Sequence, residues 1–157
     1  MKDLKDAFVE DHRTLISGLK GLLELVDEGD YGDASKLAKE LDAAAGPHIE
    51  FEEKCFYPEV GKSRSRDYVS NLYDEHRSGM EAVRTLSSLE AGSVLSSDER
   101  ERVLFHLQRA LDHAVSCGTL LSHVTSLAEP EQKQLLDELE RYRSLAHKWT
   151  DLHRDGE

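Results

Sequence analysis

Apolar residues return every three or four positions along most of this chain, the spacing of one face of an α-helix. A first helix is marked by Phe8, His12, Leu15, Ile16, Leu19, Leu22, Leu23 and Val26, and Gly29 supplies its stop. A second runs from about Asp33 through Leu37, Leu41 and Ala44 to Phe56 or Tyr57, where Pro58 predicts its end. Within it, Gly46-Pro47 is a local conflict: an interior proline removes a backbone bond at a cost of roughly 3 kcal/mol and predicts a kink or a break. After the polar turn from Gly61 to Arg66, a third helix over about 66–89 carries Val69, Leu72, Tyr73, His76, Met80, Val83 and Leu86 on one side. Ser96 and Glu99 have capping-box spacing and open a fourth helix, with Val103, Leu107, Ala110, His113, Ala114 and Cys117 on its stripe. Pro130 starts a fifth, on which Leu135, Leu139, Tyr142, Ala146 and Trp149 keep a heptad-like line. No strand pattern competes. The expected fold is all-α: an up-down-up-down four-helix bundle over about 5–126 with an additional C-terminal helix over about 130–153, in a single domain spanning 1–157.

Charge narrows the partners. A net charge of −12 disfavours nucleic-acid backbones and anionic membrane surfaces. No apolar run approaches the ~20 residues of a membrane span, and the start of the chain lacks a signal-peptide core, so the expected location is cytoplasmic. Two cysteines, Cys55 and Cys117, then read as reduced thiols. Both are expected to face inward, where they could form a redox-active pair.

Candidate chemistry lies in the histidines on the apolar stripes. His48 and Glu52 are four residues apart, within ~40° of each other around a helix, so both can face the same interior. The chain also repeats itself: Glu10-Asp11-His12-Arg13 matches Asp74-Glu75-His76-Arg77, with His48 36 residues after His12 and His113 37 after His76. Any one of these histidines alone reads as a core or surface residue. Four converging from four helices require an offset for burying imidazole, and a shared metal ion supplies one. The copies differ, because Cys117-Gly118 stands where the first has Glu52-Glu53.

These elements, with the tail Glu52-Glu53-Lys54-Cys55-Phe56-Tyr57-Pro58, resemble a hemerythrin-like (HHE cation-binding) domain over roughly residues 8–125. The resemblance implies non-haem iron, one or two ions, in the bundle core. His12, His48 and Glu52 would serve one ion, and His76, His113 and Glu52 the other. The family's second bridging acid has no match here, and Cys117 is a candidate ligand at that level. Independently of the resemblance, two histidines and one carboxylate make the facial triad of non-haem iron, which leaves positions open for a small ligand.

The remaining residues read more plainly. His106 is a core or supporting histidine, and His123, His147 and His153 are surface. Met80 is core filler, and Tyr57 and Tyr73 are packing residues able to donate hydrogen bonds near the site. There is no Gly-rich phosphate cradle and no Ser-His-Asp order, which excludes a dedicated hydrolase or transferase. The expected activity is binding or sensing of O2, NO or peroxide, more a binding protein than an enzyme. Readings from other classes stay open: a weak peroxide or NO oxidoreductase, a degenerate domain acting as an interaction module through the fifth-helix stripe, or haem held by paired histidines. A homodimer through the C-terminal helix is a further expectation.

Overall fold

The computed structural model describes residues 3–152, so the expectation for His153 lies outside the described residues. Helix α1 (Leu4–Asp27) opens with the Asp3 carboxylate accepting the Asp6 N–H at 2.8 Å, which satisfies one of the free amides of the first turn. It ends at Gly29, whose φ of +77° lets the chain reverse within three residues. Helix α2 (Tyr31–Phe51) is capped by Asp30. It does not break at Gly46-Pro47, and Pro58 does not stop it. The coil widens into a π-helical turn over Glu52–Phe56 and returns to α geometry over Tyr57–Val60. Helices α3 (Arg66–Ser87) and α4 (Ser97–Ser116) follow, the latter opened by a reciprocal Ser96–Glu99 capping box. Beyond α4 the chain tightens into a 3-10 turn over Cys117–Leu120, followed by the short helix Leu121–Ser126.

α1 packs on α2 and α4, and α3 on α2 and α4, which closes the up-down-up-down bundle. Among the described residues there is no strand, and no helix is long and apolar enough to cross a membrane.

The C-terminal helix α5 (Glu129–Leu145) is shorter than its stripe suggests. Ala146 takes a left-handed conformation (φ +54°) and ends it, so Trp149 is not on its face but in a separate 3-10 turn, Trp149–Asp151. That turn packs on α2 and α3. The His147 carbonyl passes so close to Gly46 that an added Cβ would lie 2.0 Å from it, and the Trp149 ring occupies space that a side chain at Gly79 would need. The turn is anchored by Asp42, buried, which accepts from the N–H and the hydroxyl of Thr150, both at 2.8 Å. Gly46, which looked like a defect in α2, is therefore where the C-terminal segment gains its contact. Leu139 and Tyr142 are buried against the chain's own bundle, and Leu145 is exposed.

The core is in two parts. One apolar cluster contains Leu15, Leu19, Leu41, Ile49, Met80, Leu107 and Trp149; the other contains Leu4, Phe8, Phe51, Phe56, Leu72, Cys117 and Leu120. His12, His48, His76, His113 and Glu52, all buried, lie between them as a polar layer across the bundle.

Candidate metal centre

The duplicated pattern converges as expected. His12 and His48 are ring neighbours at 4.7 Å between centroids, and so are His76 and His113. Glu52 stands between the two pairs. Its Oε1 is 3.3 Å from His48 Nε2 and 3.4 Å from His76 Nε2, and its Oε2 is 3.9 Å from His12 Nε2. One carboxylate thus faces imidazoles of both halves.

Each ring is oriented from behind. His12 Nδ1–H donates to the Phe8 carbonyl at 2.8 Å, His48 Nδ1–H to Asp11 at 2.9 Å and His76 Nδ1–H to Glu53 at 3.0 Å. His113 Nδ1 faces Glu75 at 3.6 Å, an ion-pair distance too long for a hydrogen bond. A partner on Nδ1 fixes the ring so that Nε2 points inward, the arrangement that metal-binding histidines use. Asp11 is itself held by two contacts from Arg143 of α5, at 2.9 and 3.0 Å. Asp11 and Glu75, each just before the first histidine of its half, serve the second histidine of that half. The sequence carries this signal in the repeated acid-His steps Asp11-His12 and Glu75-His76.

The electrostatics follow from burial inside this ring of acids. Burial alone would lower His48, yet the charges of Glu52 and Asp11 outweigh it and raise its value to about 9. His76 is raised to about 9 in the same way, by Glu52 and Glu53. Burial and the neighbouring His48 charge drop His12 to about 4, and burial also lowers His113. In each half, therefore, one imidazole is cationic and its neighbour neutral. Burial would raise Glu52, but the His48 and His76 imidazoliums hold it well below the ordinary carboxylate range.

Tyr57, outside the expected ligand set, and Cys117, a candidate within it, also reach the layer. Tyr57, fully buried, places its hydroxyl 2.9 Å from His76 Nε2 and 3.2 Å from His113 Nε2. The hydroxyl bridges the two imidazoles, able to accept from one ring and donate to the other. Tyr57 is thus more than packing. Cys117 Sγ is 3.3 Å from His113 Nε2, and burial with the Glu52 charge pushes its thiol up. Cys55 faces the other way, towards Glu138 and Tyr142 at 4.0 and 3.8 Å, and both cysteines are free; the redox pair is not formed. Tyr73 donates to the Glu53 carbonyl at 2.7 Å. His106 is half-buried on α4, and His123 is half-buried against Phe56 rather than a surface residue. His147 is exposed and contacts buried Glu50.

Whether a cation fits can be judged from Glu52. The residue has no exposure, and neither carboxylate oxygen has a hydrogen-bond partner; His48 Nε2 also lacks one. Without metal the His48 and His76 imidazoliums meet this charge, and a bound cation would take over that role, since a buried carboxylate costs several kcal/mol unless a positive charge meets it. Ligand atoms in adjacent positions around a metal, with bonds of ~2.1 Å, lie ~3 Å apart, close to the 3.3 and 3.4 Å found here. One donor atom each from His12, Glu52 and Cys117 also lies within 4.8 Å of the others. The donor set suits a metal ion. The family model described as the hemerythrin HHE cation binding domain matches residues 3–116, while no curated protein and no solved structure matches the chain.

Proposed function

Because the chain belongs to the hemerythrin HHE cation-binding family, we propose that its polar layer holds non-haem iron and that the protein binds or senses a small ligand there, such as O2, NO or peroxide. His12, His48 and Glu52 would hold iron in the first half, and His76, His113 and Glu52 in the second, with Cys117 within reach of both Glu52 and His113. Imidazole and carboxylate together suit iron. When bound, the iron supplies positions open to a small ligand. The chain does the rest. Asp11, Glu53 and the Phe8 carbonyl hold the Nδ1 protons of three histidines and aim their Nε2 atoms inward. The apolar clusters on either side keep water from the layer.

The observation that carries this reading is Glu52, wholly buried between imidazoles of both halves with neither oxygen hydrogen-bonded. Metal analysis and the optical spectrum of protein expressed in iron-replete medium test it. At least one iron per chain, with a spectrum that changes on adding peroxide or NO, is expected. Near-zero metal would overturn it in favour of an interaction module, and a Soret band would replace it with haem.

A further inference from the structure

The second half lacks an acid of its own, since Cys117 stands at the level where the first half has Glu52. The fold nevertheless brings an oxygen donor to that half from α2. The wide turn of Glu52–Phe56 ends with the Tyr57 N–H donating to the Glu52 carbonyl, a five-residue step. In a regular helix, residues five apart are ~140° apart and cannot share an inward face. The π turn narrows that angle, so Glu52 and Tyr57 both enter the layer. Such turns are frequent at functional positions.

The Tyr57 oxygen, His76 Nε2 and His113 Nε2 converge at 2.9 and 3.2 Å, the separations expected of neighbouring donors around one cation. We propose that Tyr57 is a metal ligand, the anionic oxygen donor of the second half, and that this half prefers ferric iron. On binding, the phenolic O–H bond and the Nε2–H bond of the His76 imidazolium break, oxygen–metal and nitrogen–metal bonds form, and both protons leave to solvent; no electron moves. The proposal rests on the iron-binding reading above.

The test uses the full chain, loaded with ferrous iron without oxygen and then oxidised with ferricyanide, as wild type, Tyr57→Phe and Cys117→Ser. Phenylalanine keeps the buried ring, and circular dichroism checks that the helices remain. A visible charge-transfer band whose resonance Raman spectrum carries tyrosinate ring vibrations is expected in the wild type and in Cys117→Ser, with complete loss in Tyr57→Phe while iron is still bound. Wild-type protein that binds iron without those vibrations overturns the assignment and leaves the iron reading intact. A band that survives Tyr57→Phe but vanishes in Cys117→Ser belongs to a thiolate and also overturns it. Failure to bind any iron overturns both.

Discussion

The two halves of the layer start from the same plan and diverge one turn after their second histidine. After His48 the helix widens, and Glu52, Glu53 and Tyr57 all reach the layer. After His113 the helix tightens into a 3-10 turn, and only Cys117 does. The first half therefore supplies the acids for both, Glu52 between them and Glu53 behind His76. The supporting contacts show the same bias: Asp11 bonds His48 at 2.9 Å and is itself pinned by Arg143, whereas Glu75 stands 3.6 Å from His113. A duplicated bundle can thus keep its symmetric imidazoles while concentrating negative charge in one copy.

The sharpest way to break this asymmetry is Glu52→Ala. It removes the one carboxylate shared by both halves, and the expected result is loss of essentially all bound metal, read by elemental analysis. Full retention would show that Glu52 is not the bridge. Removing the supports should have smaller and unequal effects. Asp11→Asn is expected to weaken metal affinity by ~10–100-fold, the range for loss of such a partner, and Glu75→Gln by less. Chelator competition measures both, and equal losses would remove the claimed bias. Cys117→Asp attempts the reverse by giving the second half an acid. Slower iron loss to a chelator, by roughly tenfold, is expected, and no change would mean that this level does not face the metal.

The smallest effect concerns pH in metal-free protein. His48 and His76 are raised from 6.5 to about 9, so the stability they contribute is complete below 6.5 and lost as pH rises through 9. His12, lowered to about 4, acts in the opposite direction: its contribution is present above 6.5 and lost as pH falls towards 4. The urea midpoint should therefore decline between pH 6.5 and 9, and a midpoint that climbs over that window would contradict the two imidazoliums. Metal displaces those same protons, so metal affinity should rise with pH where apo stability falls.

The stripes of α1, α3 and α4 and the four histidines were legible because burial imposes a helical period that sequence displays directly. Tyr57 was not. Read at 100° per residue it leaves the face of Glu52, and nothing in the run of residues from Glu52 to Phe56 announces a wider turn. Trp149 was misplaced for a related reason: its spacing continues the α5 stripe, but the chain leaves the helix at Ala146 and buries the ring against Gly79. Gly46 looked like a helix defect because its partner lies a hundred residues away. Local period is visible in a sequence, and long-range crossings are not.

The π turn of α2 also has a genetic reading. Deleting one residue between Glu52 and Tyr57 would leave them four apart, ~40° in regular winding, so the coil could return to α geometry with Tyr57 still facing the layer. Phe56, Tyr57 and Val60 would keep their interior places, with no ligand codon altered. In a bundle built this way, the wide turn absorbs a single-residue difference in length without moving the donors available to the second half.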